Sequence, residues 1–215
     1  MRGSEVGGSD GAGGLWPGPG EAGGAGGTAE ARGRRPEAGR TGEASGSGRP
    51  YGGEAPGFRK VARVVLLDPQ DRILLMHGYE PDNPDDTWWF TPGGGLEGDE
   101  TRAQAALREL AEETGITDVQ LGPVLWRRMC SFPFDGRRWD QDEWYFLART
   151  AQTEAAPTDL TELERRSTSG LRWWTSAELS AARETVYPTR LAELLRTLLD
   201  EGPPGAPVVL APEIV

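Results

Sequence analysis

One cysteine and one histidine among 215 residues remove several chemistries before any motif is read. Cys130 alone allows no intrachain disulfide, which fits a reducing compartment. His77 is the sole imidazole, so any Ser/His/Asp or Cys/His nucleophilic arrangement would have to be built on it, and nothing in the sequence around it or Cys130 supports one. Its place at the end of an apolar run gives it a structural or exposed role. No hydrophobic stretch approaches the ~20 residues needed to span a bilayer. The first residues carry a single arginine and no hydrophobic core, unlike a secretory leader, and a cytoplasmic protein is expected. Net positive charge is lacking too, the whole chain standing at −11. Residues 58–215 hold 17 basic and 27 acidic side chains, a net of −10. That balance opposes binding to a nucleic-acid polymer or an anionic membrane. It also makes a metal ion more necessary if the substrate is a phosphate ester.

Glycine is plentiful but unevenly placed, 20 of the 31 lying within residues 1–57. That segment has no apolar periodicity and cannot bury enough surface to offset its ordering entropy. It reads as a disordered tail, dispensable for the chemistry downstream. Residues 58–202 suit a single domain, and 203–215 read as an irregular tail. Within the domain, 61–67 and 72–76 are β-rich around the turn cluster 68–71 and suggest a hairpin. Residues 80–87, with Pro81 and Pro84, read as a loop able to rim a pocket. In the aromatic strand that follows, one tryptophan is assigned to the core, and Trp89 is the candidate for stacking on a substrate ring. Extended chain is expected over 119–134, a turn at Asp135-Gly136 and a strand over 138–150. Residues 150–169 are polar and unpatterned. A last helix over 189–199 shows Leu191, Leu194, Leu195 and Leu198 on one face after Pro188.

The most informative stretch is 94–116. A glycine-rich loop runs into a helix signal, with Thr101 and Gln104 as a capping box and Gly115 as a left-handed cap. Ala103, Ala106, Leu107, Leu110 and Thr114 form an apolar stripe. Glu109, Glu112 and Glu113 recur at i, i+3 and i+4 on another face, so their carboxylates should converge. Like charges at this spacing cost about 0.2–0.5 kcal/mol each. They also crowd the helix end where the macrodipole prefers cations, at ~0.3–1 kcal/mol per charge. A solvated acidic face is the plain reading. A bound divalent cation is the functional one, and hard carboxylate oxygens suit Mg2+ or Mn2+ rather than zinc.

Gly94, Glu100 after five residues, Arg108 after seven more, then Glu109-Leu110-x-Glu112-Glu113-x-Gly115-Ile116 resembles the Nudix box at every fixed position. The resemblance implies an α+β fold, an αβα sandwich with a mixed β-sheet packed between helices. It also implies hydrolysis of a phosphoanhydride bond in a nucleotide, or in a nucleoside diphosphate linked to another group. By the same resemblance the metal ligands are the carbonyl of Gly93 and the carboxylates of Glu109, Glu112 and Glu113. Glu143, at the start of an aromatic strand, adds a further ligand. Arg108 orients a box carboxylate, most plausibly Glu109, and Glu100 is a loop anchor or a weak ligand through water. Glu109 and Glu112 are the candidate general bases. Partners are then small nucleotides, with a homodimer a common state of such proteins. Catalytically silent relatives serve as nucleotide-sensing modules, and one branch of related fold comprises isomerases. Degenerate box glutamates mark those groups, whereas here all are present.

Overall fold

A computed structural model describes residues 57–214. The expected tail over 1–57 lies outside the described residues except for Gly57.

The sheet grows from β1 (Arg59–Leu67), β2 (Ile73–Glu80) and β3 (Asn83–Phe90). A short glycine strand, β4 (Gly93–Gly95), leads to helix α1 (Arg102–Thr114). The hairpin of β5 (Gln120–Phe134) and β6 (Arg137–Arg149) follows. Then come α2 (Glu162–Arg165), β7 (Thr168–Trp174), α3 (Ser176–Ser180), β8 (Thr185–Tyr187) and α4 (Leu191–Glu201). Two short strands, β9 (Val208–Val209) and β10 (Glu213–Ile214), close the described chain. The strand order is β10-β5-β6-β1-β2-β3-β8, with β4 on β1, β7 on β2 and β9 on β5. The sheet is mixed: β1 runs parallel to β6 and antiparallel to β2 and β4.

Two apolar layers explain the uninterrupted run in β1, since a strand covered on both faces needs no alternation. Ala62, Val64, Leu66, Leu74, Phe146 and Ala148 pack with Ala105, Ala106 and Leu110 of α1 on one face. Val65, Leu67, Ile73, Leu75, Tyr145 and Leu147 pack on the other with Leu179 of α3 and Leu191, Leu195 and Leu198 of α4. Helices on both faces make the expected αβα sandwich.

Local signals held in several places. Thr101 caps α1 with Gln104 in a reciprocal capping box, and Gly115 closes it at φ 69°. Asp135 and Gly136 both have positive φ, 51° and 70°, as a two-residue hairpin turn requires. Elsewhere the chain departs from expectation. The polar stretch read as a loop over 80–87 is strand from Asn83 onward. Pro84 is tolerated there because β3 meets β8 only at Trp88–Phe90, leaving its proline segment on an open edge. Within 150–169 there is a helical turn, α2, closed by a capping box of Thr161 and Glu164. The tail after Gly202 is not wholly irregular, because β9 and β10 both pair with β5. No helix among the described residues is long and apolar enough to cross a membrane.

Candidate active site

Glycine makes the site possible by leaving room. β4 lies against β1, with Gly93, Gly94 and Gly95 opposite Arg63, Ala62 and Val61. A Cβ at Gly94 would fall within the Glu109 carboxylate, and one at Gly93 (φ 130°) would overlap the Ala62 carbonyl. With no side chains in the way, carboxylates from α1 reach the glycine backbone directly. Gly93 N–H donates to Glu113 Oε2 at 2.6 Å. The glycine carbonyls are held by guanidinium groups: Arg63 Nη1 donates to Gly93 O at 2.7 Å and Arg108 Nη2 to Gly95 O at 3.0 Å.

The buried face of α1 is not the apolar stripe expected. Leu107 is 41% exposed, while Glu109 and Glu113 share the buried face with Ala105, Ala106, Leu110 and Thr114. The helix packs through small alanines, and this turns two of its acids inward. Burial raises the Glu109 carboxyl above its ordinary value, against the pull of Arg108. Burial raises Glu113 well above its ordinary value, and Glu109 adds to the shift while the Gly93 N–H opposes it. Such carboxylates want a cation.

A third acid completes the group. Among the described residues, carboxylate oxygens of Glu109, Glu113 and Glu164 all lie within 4.8 Å of one another. Glu164 comes from α2, outside the box. The C-terminal carbonyls of α1 steer it there: Ala156 N–H donates to Thr114 O at 2.8 Å and Thr158 N–H to Glu112 O at 2.9 Å. These contacts satisfy the open end of α1 and bring the following segment back over the site. The three carboxylates, close together even with Arg108 beside Glu109, fit a divalent cation by donor type. The S/T-x-x-E signature at Thr161–Glu164 was the sequence signal for the turn, though not for its destination.

Arg108 holds the box together. It donates to Glu100 Oε1 at 2.7 Å, and its Nη1 lies 3.1 Å from both Glu109 Oε1 and Glu112 Oε2. Glu100 also accepts from Glu97 N–H at 2.8 Å, which makes it a loop anchor. Glu112 therefore stands beside the close acidic group rather than in it.

The acidic group opens into a cavity of about 530 Å3. Successive rows of β1, β6 and β5 build its wall: Arg59–Gln141–Cys130, then Val61–Glu143–Arg128. Trp88 and Phe90 of β3 line it with Phe132, Phe134 and Trp139. Strand alternation sends Trp89 the other way. There Trp89 packs 5.0 Å from Trp174, 4.5 Å from His77, and donates to Glu184 at 2.9 Å. The expected stacking residue Trp89 thus packs against the core, and of the two neighbours it is Trp88 that lines the cavity. His77 is structural, bonded to Ser169 and Glu184.

Glu143 also differs from expectation. It is 1% exposed and lies 2.9 Å from Arg63 Nε, with Arg128 and the Tyr145 hydroxyl on its other oxygen. Burial alone would raise this carboxyl, but Arg63 and Arg128 overcome that and hold it at about 2. With Gly93 O also taken by Arg63, two positions assigned to metal by the resemblance are engaged by arginine here. A carboxyl depressed from about 4.5 to about 2 contributes stability above the higher value that is lost as pH falls through the lower. The advantage of the wild type over Glu143→Gln should therefore shrink by about 3 kcal/mol between pH 5 and pH 2, read by urea unfolding at each pH. An unchanged difference would disprove the arginine clamp.

Sequence reading missed Glu164, Arg59, Arg63 and Gln141. Arg63 had a signal, being a lone charge inside the apolar run of β1. Arg59 packs over Gly95, and its guanidinium lies 5.3 Å from the Trp139 ring. Gln141 had no signal.

A family model described as NUDIX domain matches residues 57–198. The chain is 33% identical over 145 residues to the RNA pyrophosphohydrolase of Acidiphilium cryptum, covering 64% of this chain and 85% of that protein. It is 34% identical over 124 residues to a Mycobacterium tuberculosis protein carrying the mutator name MutT4, covering 58% of this chain but 47% of that one. The chain thus spans about half the length of that relative. Among solved structures, the NUDIX domain of Shewanella oneidensis NrtR, complexed with ADP ribose, matches at 20% identity and a TM-score of 0.49. That match covers 67% of this chain and 90% of the other. With the box complete on α1 and its glycine loop, and a family match over most of the described residues, the chain belongs to the Nudix family.

Proposed function

We propose that the protein is a Mg2+- or Mn2+-dependent pyrophosphohydrolase. Its substrate is a nucleotide, or a nucleoside diphosphate linked to another group, cut at a phosphoanhydride bond. The observation that carries this reading is the convergence of Glu109, Glu113 and Glu164 at one end of a nucleotide-sized, aromatic-walled cavity. Glu109, Glu113 and Glu164 hold the cation, with Glu112 adjacent. A divalent ion in that place supplies Lewis acidity at the phosphate oxygens and to the attacking water.

The chain's own residues supply the rest. Gly93 and Gly94 let the phosphates approach the backbone. Arg59 lies at the same end of the cavity, where its charge acts on Glu109 and Glu164. It is placed to take a phosphate oxygen. Arg108 fixes Glu109 and Glu112 relative to each other, as groups that orient ligands do in metal sites. Glu109 or Glu112 is the general base. The aromatic wall of Trp88, Phe90 and Trp139 takes a base or ring by stacking and excludes water from it. The acidic domain favours a small nucleotide over a long RNA. The resting state is soluble and cytoplasmic, with a homodimer as an open arrangement.

The test is phosphate and pyrophosphate release from nucleoside triphosphates, nucleotide sugars, dinucleotides and a short 5′-triphosphorylated RNA. It is run with Mg2+, with EDTA, and with Glu109→Gln. Turnover that disappears with EDTA and with the substitution is expected. Tight nucleotide binding without turnover under every condition would replace the hydrolase with a nucleotide-sensing module. Turnover that survives EDTA would reject the metal assignment.

A further inference from the structure

The last two glycines of β4 seat opposite charges side by side. A Cβ at Gly94 would fall within the Glu109 carboxylate, and one at Gly95 would fall within the Arg59 guanidinium. An acid from α1 and a base from the start of β1 therefore lie on neighbouring residues of one glycine strand. The acid belongs to the group that holds the cation. The base belongs to a second group. Its guanidinium carbon lies 5.3 Å from the centre of the Trp139 ring, and that of Arg137 lies over the same ring at 3.8 Å.

Strand alternation brings Arg137 to this place. Arg137, Trp139, Gln141 and Glu143 share one face of β6, and the last three line the cavity. The neighbouring Arg138 turns to the other face, where it donates to Ser131 Oγ at 2.9 Å. Arg137 thus carries the cavity wall on to the hairpin turn. Two guanidinium groups on one ring repel each other. Desolvation lowers Arg59 from its ordinary value, the like charges of Arg63 and Arg137 add to this, and Glu109 and Glu164 oppose it. The Trp139 ring offsets part of the repulsion through its negative face. An anion held by both arginines would offset far more. A positive patch next to the acidic group, in a domain of net −10, thus has a use for a phosphate. Trp139 still lines the cavity, so the patch adjoins the aromatic wall.

We infer that Arg59 and Arg137, gathered on Trp139, form a subsite for a phosphate group beyond the two that meet the cation. The protein then favours nucleotides with a chain of three or more phosphates over diphosphates linked to a sugar. This rests on the nucleotide-hydrolase reading above and names the substrate class within it. The cation and the glycine backbone take the pyrophosphate that is cut, whatever follows it. A third phosphate continuing outward past Gly95 meets Arg59 and then Arg137, whose forked donors match its oxygens. A neutral sugar in its place offers these arginines no charge.

Adenosine 5′-triphosphate and ADP-glucose isolate the effect, because they share the base and the first two phosphates. With Mg2+ and the full chain, Arg137→Met should lower kcat/KM for the triphosphate by roughly five- to tenfold, mainly through KM. For ADP-glucose the loss should stay below about twofold. Arg137→Lys, which keeps the charge, should restore most of the triphosphate's loss. Both arginines are exposed, so the effect of Arg137→Met should shrink as salt is raised. A triphosphate left unused beside a working ADP-glucose, or one that loses no more than ADP-glucose does, overturns the subsite while the hydrolase stands. If neither compound is turned over, the hydrolase reading fails first. Calorimetric titration with inorganic tripolyphosphate and pyrophosphate, in Mg2+, then decides. Tighter tripolyphosphate binding that Arg137→Met brings down to the level of pyrophosphate supports the subsite. Equal or absent binding, or tighter binding that the substitution leaves unchanged, overturns it.

Discussion

Replacing Glu113 by Gln should move activity and stability in opposite directions. Turnover is expected to fall by about two to three orders of magnitude, since the buried carboxylate is the centre of the acidic group and its amide analogue carries no charge. The fold should gain. Glu113 is 3% exposed and within reach of Glu109 and Glu164, so without a cation its charge is a burden. Glutamine keeps the acceptor for Gly93 N–H at nearly the same shape. Thermal melts in EDTA at pH 7.5 should show a Tm higher by a few degrees, corresponding to about 1 kcal/mol. The pH dependence follows from the raised carboxyl. A raised acid contributes its stability below the ordinary carboxylate range and loses it as pH rises through its folded value. The advantage of Glu113→Gln should therefore vanish near pH 4 and grow toward neutrality. A substitution that lowers Tm at pH 7.5 would mean that the carboxylate is satisfied in the metal-free protein, contrary to the description above.

The second large effect concerns Arg128→Leu. Arg128 is 5% exposed in its side chain and pairs with both Glu143 and Glu213. Its removal leaves Glu143 buried with Arg63 as its remaining cation. Breaking one side of a buried ion pair costs about 3–5 kcal/mol, which corresponds to a Tm lower by on the order of 10 °C for a domain of this size. A double-mutant cycle with Glu143→Gln separates the pair from the packing. Once Arg128 is gone, the second substitution should cost much less than it does alone. Additive costs would show that the arginine matters as apolar wall and not as a cation.

The parts legible in the sequence were those written in local chemistry. Thr101, Gln104 and Gly115 mark the ends of α1 by groups that cap their own neighbours. Asp135-Gly136 marks a turn by tolerating positive φ. The box glutamates are legible for the opposite reason: three acids at a helix C-terminus break a local rule, and a break that the one arginine beside them cannot fully offset points to a ligand. What the pattern could not give was the side of α1 that is buried. Apolar periodicity assigns burial to Leu107, but a helix docking through Ala105 and Ala106 onto a strand of glycines buries Glu109 and Glu113 instead. Trp88 and Trp89 were indistinguishable for a related reason. Alternation says that two neighbours face opposite ways and leaves open which way is the cavity. Glu164 and Gln141 are set by tertiary routing. Glu164 arrives because the carbonyls at the end of α1 need partners, and Gln141 faces the cavity because β6 lies between β1 and β5.

Glu164 carries one more consequence. Its Oε2 accepts from Thr161 N–H at 2.8 Å and so closes the four-residue helix α2, while the same carboxylate faces Glu109 and Glu113. The stretch before it, 150–161, has neither helix nor strand, and such stretches open first. Beside the hydrogen bonds of Ala156 and Thr158 to α1, this side chain ties the end of the segment to the charge state of the acidic group. Limited digestion with and without Mg2+ should therefore differ in the rate of cutting within 150–161, a readout of occupancy that needs no turnover; equal rates would show that Glu164 is not part of the metal site.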